Sequence, residues 1–178
     1  MLGVSGLSEG LKSYSRSHRE GLLSAISAGV FLVLVGMLFV ITPDLVDRTT
    51  TFFSSFDATS PVPNTGIMLP APDPLLETTN STVREANVAV YSAVQQFSLA
   101  WGAFSVALLV VRFLYNSPRG KKAENLSSIV FWFGAFYLIQ VLLIDSNPGQ
   151  WFVFWSTIIM LIGVMLIIRS VFLAFSRR

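Results

Sequence analysis

The sequence predicts an all-α fold: an integral membrane bundle of four transmembrane helices, both termini cytoplasmic, with a long exterior loop between helices 1 and 2. Three observations predict it. Four stretches of roughly 20 residues carry no charged side chain, and about 20 apolar residues cross a hydrocarbon core. Only 12% of the 178 residues are charged while 53% are hydrophobic, where soluble domains average about 25% charged. The lysines and arginines gather on one side of the four stretches. One bundle fits this length, with a basic tail over residues 1–21 and a transmembrane domain over 22–178.

The tail comes first. Leu7, Leu11 and Tyr14 recur at helical spacing beside Lys12, Arg16 and Arg19. That pattern reads as a short helix on a membrane surface or as a partly ordered basic tail, the scattered glycines and serines favouring the second. Residues 22–43 form the first span. Its apolar run is longer than a signal-peptide core, and Ile41-Thr42-Pro43 lacks the small residues of a cleavage site, so the span reads as retained. Ala25, Gly29 and Gly36 share one face, which is expected to let another helix approach closely.

Residues 44–85 form the exterior loop. Leu45, Thr49, Phe52, Phe53 and Phe56 fall near helical spacing and predict a short helix over 44–56. Pro61, Pro63, Pro70, Pro72 and Pro74 then follow in quick succession. Proline lacks an amide donor and restricts the residue before it, so this part is expected to be extended and irregular. Ile67, Met68 and Leu69 interrupt its polarity and predict a cap lying on the bundle. Thr82 and Glu85 match a capping box, marking the start of the second helix.

The second span, 86–115, organises the chain. Arg84, Tyr91, Ser98, Ser105 and Arg112 are spaced by sevens, close to two helical turns, so they line one face. Asn87, Gln95 and Gly102 fall near the same stripe. In lipid such a face should turn toward other helices. A basic link carries Arg119, Lys121 and Lys122, and Ser117-Pro118 could open the third helix early. The third span covers 125–144 and the fourth 150–174, the latter opening on Trp151, Phe152 and Trp155, which suit a membrane–water boundary. Ten basic residues (Lys12, Arg16, Arg19, Arg112, Arg119, Lys121, Lys122, Arg169, Arg177, Arg178) then share a side against two (Arg48, Arg84), and the positive-inside rule makes the first side cytoplasmic. The Asn80-Ser81-Thr82 triplet has the glycosylation pattern and falls on the exterior.

The candidate intramembrane polar face is Tyr91, Gln95, Ser98, Ser105 and Gln140. Gln95, Gln96 and Gln140 lie roughly 5–12 Å below the outer boundary at ~1.5 Å per residue. One reading is a pocket or path for a small polar solute. The other is an amide–amide hydrogen bond that fixes helix pairing, worth about 0.6 kcal/mol. Arg112, Arg119, Lys121, Lys122 and Arg169 are the candidate lipid-headgroup contacts. Asp44, Glu85 and Asp145 at outer helix ends would suit a hard cation, but ordinary solvated carboxylates explain them more simply. Trp101 and Trp132, too deep for a belt, read as packing anchors.

The chain has no cysteine and one histidine, His18, so thiolate and multi-histidine metal sites within one chain are excluded. No Asp, Glu, Lys, Arg or His sits near a midplane, where proton pumps and ion-coupled transporters usually need one. No nucleophile with a base, phosphate-binding loop or zinc motif is visible. The reading is therefore not an enzyme, with no catalytic residue, cofactor or metal, and no nucleic-acid partner. The expected partners are membrane lipids and a membrane protein or further copies of the chain.

Four spans with a large first outer loop resemble claudins and tetraspanins in outline, but both depend on loop cysteines absent here. The run Ser117-Pro-Arg-Gly-Lys-Lys-Ala-Glu-Asn-Leu-Ser-Ser-Ile-Val-Phe-Trp, together with Trp151-Phe-Val-Phe-Trp, is similar to small archaeal multi-pass membrane proteins with no assigned function. That resemblance implies a prokaryotic cell membrane and nothing about activity. The function expected is a non-enzymatic accessory, scaffold or assembly subunit. The alternative is a pore or carrier lined by the polar face of the second span. A membrane enzyme acting on lipid would need Asp44 and Asp145 to converge in a cleft.

Overall fold

A computed structural model describes residues 4–72, 80–115, 117–144 and 150–175, and of 4–20, 57–60 and 175 the backbone alone. Four helical segments are long and apolar enough to cross a membrane: Gly21–Ile41, Ser81–Leu114, Arg119–Ile144 and Gln150–Ala174. The described elements run α1 (Val4–Ile41), α2 (Leu45–Ser54), β1 (Phe56–Pro61), β2 (Met68–Pro72), α3 (Ser81–Leu114), α4 (Arg119–Ile139), a π-helical turn (Gln140–Ile144) and α5 (Gln150–Phe175). Helix α1 is unbroken over 38 residues, about 57 Å at ~1.5 Å per residue, so the backbone of the basic tail continues the first span.

Helix α3 is central. It packs most extensively on α4, carries α2 across its upper end, and is touched lightly by α1; α4 in turn packs on α5. Neighbours are antiparallel, because α3 meets α4 at Gln95–Gln140, Ser105–Ser128 and Arg112–Lys121. Two glycines permit close approach. A Cβ built at Gly102 would lie 3.3 Å from the Phe133 ring, and one at Gly134 would lie 2.8 and 2.9 Å from the Leu161 methyls. The apolar core gathers Tyr91, Ala135, Ile139, Leu143, Phe154 and Ile158 at the α2 end of the bundle, closed by Phe52.

Several expectations need correction. The proline-rich stretch is extended but forms a hairpin as far as Pro72: β1 and β2 pair antiparallel, with Phe56 opposite Pro72 and Pro61 opposite Met68 and a register shift between Asp57 and Ser60; Pro74 lies outside the described residues. Pro63 and Asn64 occupy the middle of a turn closed by the Thr65 amide donating to the Val62 carbonyl at 3.3 Å, with Asn64 at φ 62°. Proline first and a left-handed Asn second is the type II pattern. In a two-stranded ribbon each strand also has a free edge, where proline's missing donor costs nothing.

The second correction is the start of α3. Asn80, not Thr82, caps it: Asn80 Oδ1 accepts from the Thr82 amide at 3.1 Å, and Ser81 is already helical. Asparagine ranks above threonine as a cap. Third, Ala25, Gly29 and Gly36 do not meet a helix of the described chain. All three are exposed, and nothing lies within 4 Å of a Cβ built at either glycine. Helix α1 instead leans on α3 through Phe31, whose ring stands edge-on to Phe97 and Trp101 at 5.6 and 5.5 Å.

Candidate functional site

The heptad spacing on α3 places its polar residues on the buried side of that helix. Asn87 is 0% exposed, Tyr91 6%, Ser98 1%, Ser105 3% and Arg112 8%; Gly102 is buried, Gln95 half-buried, and Arg84 exposed above the bundle. The levels of the seam differ in the partners they offer. The Tyr91 ring sits under the cap, 5.5 Å from Phe52 and 6.5 Å from Trp151. Gln95 Nε2 donates to Gln140 Oε1 at 2.7 Å. Ser98 Oγ donates back to the Val94 carbonyl at 2.8 Å, the usual way a helical serine buries its hydroxyl.

Lower down, Asn125 of α4 donates through Nδ2 to the Ser105 carbonyl at 2.9 Å, and the Ser105 and Ser128 hydroxyls stand 3.5 Å apart. At the bottom, Arg112 Nη1 donates to the Lys121 carbonyl at 2.8 Å, while the Arg112 carbonyl accepts from the Ser117 amide at 3.0 Å. The turn between α3 and α4 is thus tied to the last residues of α3. Three of the five polar-face candidates, Gln95, Ser105 and Gln140, make polar side-chain contacts across the α3–α4 seam; Tyr91 belongs to the apolar core with Ala135 and Ile139, and the Ser98 hydroxyl bonds back to its own helix.

No protein-family model, curated protein or solved structure matches this chain. The geometry therefore carries the functional argument by itself.

The basic residues part company. Arg112 turns into the bundle, whereas Arg119 and Arg169 are exposed. Lys121 Nζ reaches Glu124 at 3.2 Å, both half in solvent, and Lys122 Nζ stands 4.5 Å over the Phe113 ring. Asp44 and Glu85 are exposed, and Asp145 lies outside the described residues. Gln96 is exposed too. Trp101 and Trp132 join Phe97 in one aromatic cluster, with the two indoles 6.5 Å apart.

The sequence reading missed Asn125 and Ser128, treating them only as the opening of a span. Their spacing, continued to Trp132, marks a face of α4, and it is the face that meets α3. It also missed a cleft of about 240 Å³ where α1, α3 and α4 meet at the Arg112 end, lined by Ser24 and Ser27 of α1, Ser105 and Arg112 of α3, and Lys121 and Asn125 of α4, among others.

Proposed function

We propose that this chain is a multi-pass integral membrane protein acting as a non-enzymatic accessory, scaffold or assembly subunit in a prokaryotic cell membrane. The observation that carries the reading is α1. No residue of its Gly21–Ile41 span is buried, yet it bears Ala25, Gly29 and Gly36 along one open side. Lipid tails give apolar helices no reason to associate, so close packing of small residues is what holds transmembrane helices together. An open face of that kind is suited to a helix from another chain. The upper part of the α3 seam, by contrast, meets α4 and the cap within the protein itself.

In this reading both termini are cytoplasmic and the α2–hairpin cap is exterior, supported by the ten-to-two division of basic residues. Because the chain has no cysteine, Arg48→Cys and Lys121→Cys each give a unique probe. Labelling with a membrane-impermeant maleimide should reach the first and not the second in intact cells.

The function is tested by photo-crosslinking in native membranes from position 29 or 36. The expected result is a discrete adduct, either a second copy or one other membrane protein, lost on Gly29→Leu and Gly36→Leu. A chain that crosslinks only to lipid, and purifies as a monomer with nothing bound, would rule the reading out. A carrier role for a small polar solute is favoured by one feature, the polar cleft at the lower end of the seam. It requires solute flux in liposomes that falls on Gln95→Leu and Ser98→Leu.

A further inference from the structure

We propose that the cleft at the Arg112 end is a binding site for a phosphate oxyanion. Arg112 is 8% exposed. Its Nη1 is held by the Lys121 carbonyl, and its Nε is buried with no hydrogen-bond partner. Among the described residues no carboxylate lies within ion-pair distance of it. A guanidinium does not shed its charge, and a buried charge without a counter-ion is costly. The one carboxylate on the cleft wall, Glu124, is engaged by Lys121 at 3.2 Å. Two cations and one anion line the cleft, leaving one positive charge to be met.

The surroundings define what meets it. A planar guanidinium recognises phosphate through paired hydrogen bonds, and Ser24 of α1 on the cleft wall adds a hydroxyl donor, the Ser27 hydroxyl being turned back to the Leu23 carbonyl at 2.9 Å. At 240 Å³ the cleft falls below the ~300–1,000 Å³ of drug-sized pockets, so it suits a headgroup rather than a large ligand. Helix α1 touches α3 lightly and α4 hardly at all, so the cleft opens between α1 and the closely packed α3–α4 pair. It sits at the end of the bundle that also carries Arg119, Lys122 and Arg169. A bilayer places its phosphates at that depth, and a soluble phosphate would approach from the same end. This site goes beyond the assembly role and stands or falls apart from it.

The test uses the full-length protein in a nonionic detergent, with native mass spectrometry and thermal unfolding as readouts. The probes are short-chain phosphatidylglycerol, inorganic phosphate, and short-chain diacylglycerol, which lacks the phosphate. Phosphatidylglycerol should stay bound and raise the unfolding temperature, and Arg112→Gln should weaken it by about tenfold to a hundredfold. Arg84→Gln, exposed at the opposite end of α3, should bind as wild type does. Should Arg112→Gln fail to fold, Ser24→Trp fills the cleft with the arginine intact and should also abolish binding, while Arg112→Lys should retain part of it. Binding of inorganic phosphate in place of the lipid supports the site and assigns it a soluble ligand. Equal binding by wild type and Arg112→Gln, no loss in Ser24→Trp, or diacylglycerol bound as well as phosphatidylglycerol would each overturn the proposal.

Discussion

Gly134→Ala should loosen the α4–α5 pair, and the structure allows its cost to be worked. The added Cβ would sit 2.8 and 2.9 Å from the two Leu161 methyl carbons and 3.4 Å from its Cγ. Carbon atoms pack best at about 3.5–4.0 Å, so the overlap is ~0.7 Å. Leu161 can escape by leaving its rotamer, at about 0.5–1.5 kcal/mol, or the helices can part, with overpacking typically costing about 1–3 kcal/mol. Against this stands alanine's better helix propensity, about 1 kcal/mol in water. That gain shrinks in lipid, where backbone groups must be hydrogen-bonded within the helix in any case. The cheaper route sets the cost, so the net expectation is a destabilisation of about 0.5–1 kcal/mol. It is measured by SDS titration of the purified protein in mixed micelles, followed by far-UV circular dichroism. Leu161→Ala removes the colliding methyls, so in that background Gly134→Ala should cost nothing. Gly36→Ala, with nothing within 4 Å, should stay within about 0.5 kcal/mol of wild type. An equal cost of Gly134→Ala with and without Leu161 would refute the close-approach argument.

A double-mutant cycle of Gln95→Leu and Gln140→Leu in the same assay should give a coupling of about 0.6 kcal/mol, and not above ~1.7; zero coupling would mean the 2.7 Å amide contact does not form. Asn125→Leu removes the donor to the Ser105 carbonyl. That carbonyl keeps its place in the α3 ladder, so a loss of about 1 kcal/mol is expected, read from the SDS midpoint. Phe52→Ala empties the centre of the cap, where the ring is 4% exposed and meets Tyr91, Phe56 and Trp151. It should cost up to about 3–5 kcal/mol locally. The measurable sign is faster proteolysis between Val62 and Ile67 at an unchanged SDS midpoint.

The seam was legible because its signal lies in spacing. Steps of seven from Tyr91 to Arg112 survive any error in helix ends, and burial followed the spacing at every step. The Gln95–Gln140 contact was legible for another reason: an amide in a span must find a partner, and few are available. The hairpin was illegible while proline was read only as a breaker. Pro63-Asn64 is also a turn former, and that reading depends on the residue after the proline. Helix start and cap were misplaced by two residues because the Thr82–Glu85 spacing of a capping box masked the stronger single cap, Asn80. The π-helical turn at Gln140–Ile144 has no mark in residue type that we can identify. The cleft was hidden because it draws on three helices whose lateral order no local pattern encodes.

The four spans also differ in a way that explains why α3 is central. Over their most apolar stretches, mean hydropathy is 2.5 for α1, 2.5 for α5, 2.0 for α4 and 1.9 for α3, while the buried share is 0%, 6%, 22% and 28%. The least apolar helices are the most enclosed, the reverse of the order expected in water, where burial follows apolar area. In lipid the order follows directly. A leucine gains nothing by leaving acyl chains for another leucine, but a serine, asparagine or arginine gains partners. Polarity therefore decides which helix goes to the middle, and small residues decide how close its neighbours come. By the first rule α1 belongs at the periphery; by the second, Gly29 and Gly36 ask for a close neighbour that α1 does not find on α3. That mismatch is the ground on which the outer face of α1 is proposed as an assembly surface.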